Sequence, residues 1–140
     1  MSSLKNKILI SMPHMIDPYF SKSVIYICEH NTEGGIGLII NKQFKPNDIL
    51  KIFDKLSIGN DEVNVLKNKI FFGGPVLLER GIVLHNKDYE TKGTINISDN
   101  FSITSQKDVL NELKNKPDTP FKLILGHSGW SAGQLEKEIE

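Results

Sequence analysis

The stretch Gly126-His127-Ser128-Gly129-Trp130-Ser131-Ala132-Gly133-Gln134-Leu135-Glu136 gathers more chemically capable residues than any other part of the chain. It contains the only tryptophan, one of the four histidines and three glycines. It follows an apolar strand, residues 121–125, and Ser131 with Gln134 spells the S-x-x-Q capping box that opens a helix at about 132. A strand–turn–helix of this kind leaves free backbone amides at the helix start, and these attract anions. Ser128 would add a hydroxyl and Trp130 an apolar wall, so His127, Ser128, Gly129 and Trp130 are ligand-binding candidates. The structural alternative is that the glycines only let the backbone turn. A nucleophile elbow needs glycine on both sides of its serine in G-x-S-x-G. Here Trp130 occupies the last position, which disfavours a Ser128 hydrolase and leaves no catalytic residue assigned.

A second group of candidates lies upstream. Gly73-Gly74-Pro75 ends a strand at 69–72, and Arg80 to His85 enters the next, expected at 82–85. Sixteen of the seventeen basic residues are lysine, and Arg80 is the only arginine. Guanidinium supplies a planar fork that ammonium does not. Arg80 is therefore either an anion clamp or the partner of a local carboxylate such as Glu79 or Asp17. His85 would serve as a proton carrier, because imidazole titrates near neutrality. Asn41 ends a strand and either bonds backbone or contributes to a site. With Gly73 and Gly74, these complete the candidate set. Cys28 and His30 stand two apart on a strand, but no second ligand pair at zinc spacing accompanies them or His14, His85 and His127. Neither a metal site nor a cofactor is expected.

Composition narrows the class. The 140 residues suit one domain. Seventeen basic residues balance seventeen acidic ones, so no long-range field collects phosphates and nucleic acid is disfavoured as a partner. A single cysteine excludes an internal disulfide framework and suits a reducing compartment. No apolar run approaches the roughly 20 residues that span a bilayer, and no signal peptide opens the chain, so a cytoplasmic location without membrane contact is expected.

The elements that must position these residues read as strands interleaved with helices. Strands are expected at 7–11, 22–29, 36–41, 69–72, 82–85, 94–98, 101–103 and 121–125. The second and third form a hairpin whose loop is longer than two residues. Helices are expected at about 48–56, capped by Asn47, from Ser105 until Pro117, and at the end of the chain, with a helical turn at 61–67. The expected fold class is α/β (α+β): one compact domain over residues 1–140 with strands and helices around a mixed β-sheet. The chain stops inside its last helix, which reads as a truncated C-terminus. Apolar surface left bare there would favour a homo-oligomer.

Met12-Pro13, Asp17-Pro18, Ser23-Val24-Ile25-Tyr26, Glu29-His30-Asn31 and Gly37-Leu38-Ile39-Ile40-Asn41 together resemble the N-terminal half of the AlgH-like family, the YqgE group. Gly73-Gly74-Pro75-Val76, Arg80-Gly81-Ile82-Val83-Leu84-His85 and the run from Gly126 to Glu136 are similar to its other hallmarks, in the same order. Gln43 stands where that family usually has proline, and His127 where it usually has tyrosine. The resemblance implies a compact α/β bacterial cytoplasmic protein with a curved mixed β-sheet, partly barrel-like, and flanking helices, whose label of transcriptional regulator has no DNA-binding motif behind it here. It implies a regulatory or binding protein acting through a small ligand or a protein partner. An enzyme acting on a small anionic metabolite, with Arg80 as clamp and His85 or His127 as proton carrier, is the alternative. Direct DNA binding is the third reading.

Overall fold

The computed structural model describes residues 3–44, 48, 69–105 and 120–139. Of these residues, 49% are strand and 7% helix, so the expected α/β layering with flanking helices is wrong. The fold is a curled half-barrel sheet with one short helix among the described residues. The expected helices at 48–56 and after Ser105, and the turn at 61–67, lie outside those residues, except for Asp48, which is helical.

Among the described residues eight strands build the sheet: β1 (Ile8–Ile10), β2 (Val24–Asn31), β3 (Gly34–Ile39), β4 (Ile70–Phe72), β5 (Val76–Asn86), β6 (Thr94–Asn96), β7 (Phe101–Thr104) and β8 (Phe121–Ser131). Helix α1 (Gln134–Ile139) follows. The lateral order is β1-β2-β3-β8-β5-β7-β6, with β4 also on β8. Every pairing is antiparallel except β4 with β8.

β-branched residues make these segments extended, because their stiff side chains pack well on a pleated surface. β2 and β3 form the expected hairpin, but Asn31 pairs with Gly34, so the loop is only Thr32-Glu33. The Asn31 side chain sets that turn by accepting the Glu33 amide at 2.8 Å.

Two irregularities curl the sheet. β2 carries a bulge between Ile27 and Glu29. Tyr26 before it and Cys28 within it pack on one face with Leu38, Ile97 and Ile124. Ile25 and Ile27 pack on the other with Ile39 and Leu135. A bulge adds one residue and reverses the alternation beyond it. His30 therefore joins the face of Leu135 and bonds α1, not the face of Cys28. In β8, Ile124 belongs to the first cluster and Trp130 to the second. An even separation would keep both on one face, so the alternation also reverses there, at Gly126, whose φ is +77°.

The largest departure from the expected elements is β8 itself. Its eleven residues extend through Ser131, where the sequence suggested a turn after residue 125 and a helix from about 132. The capping chemistry does form: the Ser131 amide donates to the Gln134 side-chain oxygen at 2.9 Å. It acts at the end of an extended strand. Residues 127–131 find ladder partners on β3 and β5, and those hydrogen bonds outweigh the local turn preference of glycine.

Candidate functional site

The two glycine motifs meet at one place, where the chain crosses over itself. β4 runs parallel along one edge of β8, with Phe72 opposite Leu125. Four residues later Val76 pairs with His127 from β5, on the other side of β8. Gly73-Gly74-Pro75 must carry the backbone across in that short span. A side chain on Gly73 would strike the Ile124 side chain and the Gly126 carbonyl, one on Gly74 the carbonyl group of His127, and one on Gly126 the carbonyl oxygen of Gly74. Gly74 and Gly126 also sit at φ +147° and +77°, where L-residues are strained.

The crossing is pinned by hydrogen bonds. The Gly73 amide donates to Leu125 O at 2.9 Å, and Gly73 O accepts from the Ile39 amide at 3.0 Å. Gly73 O also accepts the Ser128 hydroxyl at 3.2 Å. Ser128 is 1% exposed; its hydroxyl is spent on the crossing rather than presented to a ligand.

The remaining candidates do not form one cluster. Gly129 is exposed, with open space where a side chain would stand. Trp130 lies on the opposite face from the Tyr26 cluster, its indole over Gly37 and its Nε1 donating to Glu138 at 2.7 Å. Asn41 bonds backbone at both ends of its amide: Oδ1 accepts from Val24 at 2.8 Å and Nδ2 donates to Lys22 O at 2.9 Å.

His85 is opposite Phe121 on β8, six residues from His127, or about 20 Å along an extended strand. It is 2% exposed and ends a directed chain of bonds. Thr91 N donates to Thr94 Oγ1 at 3.0 Å, Thr94 and Thr104 hydroxyls are 2.8 Å apart, and Thr104 Oγ1 is 2.8 Å from His85 Nε2. His85 Nδ1 donates to Asn86 O at 2.7 Å, which leaves Nε2 as the acceptor. Tyr89 packs edge-on against the ring, centroids 5.2 Å apart. This is a satisfied core histidine, remote from the glycine crossing.

Arg80 is exposed and makes no hydrogen bond or ion pair among the described residues. Asp17, one of its expected partners, instead uses Oδ1 to accept the amides of Tyr19 and Phe20 at 2.8 and 3.0 Å. Arg80 does act on His127. Burial, then the Arg80 charge, lower the His127 pKa from 6.5. Arg80 and His127 are thus the expected site residues that lie together, beside Gly73, Gly74 and Ser128. Next to them β5 exposes Val76, Leu77 and Leu78 at 39%, 49% and 45%, and Leu77 adopts φ +49°.

One arrangement had no signal in the sequence. His30 Nδ1 accepts the Leu4 amide at 2.8 Å, so Nε2 carries the hydrogen and donates to Glu136 across 106 residues of chain. The bond from His30 holds the Glu136 carboxyl below its ordinary range. Cys28 is buried, and desolvation, then Glu29, push its thiol up to about 12, which makes it a poor nucleophile or metal ligand. Among the described residues no group of three His, Cys, Asp or Glu could hold a metal ion, and no helix is long and apolar enough to cross a membrane.

A family model described as AlgH-like matches residues 8–140. The chain belongs to the AlgH-like family. It is 41% identical to a UPF0301 protein of Chromobacterium violaceum, over 98% of this chain and 74% of that protein. It is 42% identical to one of Photorhabdus laumondii, over 98% and 75%. The solution structure of the AlgH protein from Pseudomonas aeruginosa superimposes with a TM-score of 0.78 at 33% identity, covering 99% of this chain and 73% of that one. Protein DIP2367 of Corynebacterium diphtheriae shares the fold, with a TM-score of 0.68 at 20% identity over 94% and 69%.

Proposed function

We propose that this AlgH-like chain is a binding protein that works through a protein partner rather than through chemistry of its own. The observation that carries this reading is the fate of the chemically capable side chains. Ser128, His85, His30 and Asn41 each spend their polar atoms on backbone or on other side chains within the fold. What faces outward near the glycine crossing is a different kind of surface, made of Val76, Leu77, Leu78 and Arg80, which pairs with none of the described residues. Apolar side chains with an adjacent arginine are the composition of protein contact surfaces.

Leu77 strengthens the reading. A leucine held in the left-handed region costs about 1 kcal/mol or more relative to glycine there, and its exposed side chain recovers none of that through burial in the core.

The test is affinity capture from lysate of the native host with the wild-type chain and with Leu77→Asp and Arg80→Glu. Both changes lie on exposed residues, so the fold is kept. A partner retained by the wild type and lost by both variants is the expected result. A partner retained equally by all three overturns the assignment of this surface.

A further inference from the structure

The opposite end of the sheet carries a second unabsorbed feature. Among the described residues β1 is an edge strand, paired on one side only, with β2. Lys7 O accepts the Ile27 amide and the Ser11 amide donates to Ser23 O. In an antiparallel ladder, bonded and non-bonded pairs alternate. Residues 7, 9 and 11 therefore turn their backbone groups toward β2, and Ile8 and Ile10 turn theirs to the open edge. The same two residues expose their side chains, Ile8 at 48% and Ile10 at 76%, and Met12 continues the alternation at 58%.

The charge around this edge is one-sided. Lys5 and Lys7 are exposed just before β1. Lys22 is exposed beside its far end, next to Ser23, whose amide bonds the Ser11 hydroxyl at 2.9 Å. Across residues 3–24 these three lysines face one acid, Asp17, in a chain whose net charge is zero. Lysines flanking a short edge strand can also serve only to prevent unwanted pairing. Guarding does not require the apolar stripe of Ile8, Ile10 and Met12.

We propose that the open edge of β1 is a strand-addition surface for an acidic, amphipathic segment of a partner protein. Two amides and two carbonyls of Ile8 and Ile10 bond the added strand, alternate apolar side chains of that strand lie on Ile8 and Ile10, and its carboxylates meet Lys5, Lys7 and Lys22. The proposal rests on the protein-partner reading but uses a surface separate from Leu77 and Arg80.

The probe is a seven-residue peptide of alternating valine and glutamate, titrated into the ¹⁵N-labelled chain. A control peptide carries lysine in place of glutamate. Saturable shifts centred on the Ile8 and Ile10 amides, with the acidic peptide only, are expected. Ile10→Pro removes an amide that points away from β2, so β1 stays paired while the edge is blocked. It should weaken binding at least about tenfold, the equivalent of one or two main-chain hydrogen bonds. Lys7→Glu should weaken it further at low salt than at high salt. No saturable shift, equal binding of the lysine peptide, or full binding by Ile10→Pro each overturns the proposal. If the edge fails while Leu77→Asp and Arg80→Glu still abolish partner capture, the protein-partner reading survives without it.

Discussion

A glycine is informative when the space of its missing side chain is occupied, and the glycines here divide on that test. Gly74 faces the His127 carbonyl group and Gly129 faces open space. Gly74→Ala should destabilise the fold by about 3 kcal/mol or more. Gly129→Ala should fall within about 0.5 kcal/mol of wild type, because nothing has to move. Urea denaturation of the two variants checks both values. Leu77→Gly relieves the strained φ and should raise stability by roughly 0.5–1 kcal/mol in the same assay, while losing an apolar contact to a partner. The sequence marked these glycines as positions with a backbone requirement. It could not distinguish an anion seat from a chain crossing, since that depends on which strand lies underneath. His85 shows the same limit: its type suggested a proton carrier, and burial against Thr104 and Tyr89 made it part of the core.

At the scale of elements, the acid response separates into two windows. His127 has its pKa lowered by burial and by Arg80, so the unfolded chain binds protons more readily. Stability is then lost as pH falls from about 6.5 toward the folded value. Glu136 on α1 is lowered by its bond from His30, and its contribution is present above 4.5 and lost as pH falls through the lower, folded value. His127→Gln should remove the first decline and Glu136→Gln the second, as read from melting temperatures across pH 3–8. Strand positions were largely legible from β-branched runs, and the 23–41 hairpin from its turn residues. The length of β8 was not, because residues 127–131 are extended only by virtue of β3 and β5 beside them. The bond between His30 and Glu136 was invisible for the same reason: neither residue is marked by its neighbours, and only the fold joins them.

At the scale of the molecule, a curled sheet spends the polar atoms of Ser128, His85, His30 and Asn41 within the fold, and the two contact surfaces we propose lie outside it, at Val76–Leu78 with Arg80 and at the edge of β1. The family likeness was readable from several motifs in order, and the matching model and structures bear it out. The expected α/β layering with flanking helices failed because the described residues are 49% strand and 7% helix, with β8 drawn out to Ser131 by pairing with β3 and β5. The measurement that tests the central claim most directly is titration of cellular metabolites and nucleotides against Trp130 fluorescence, with Arg80→Lys alongside. Trp130 is the only indole, two residues beyond the serine that locks the glycine crossing, so a ligand seated there would register. The account predicts no saturable change with any compound, because the crossing is filled by its own backbone and Ser128 is committed to Gly73. A saturable change abolished by Arg80→Lys would contradict it and place a small-molecule site at the crossing.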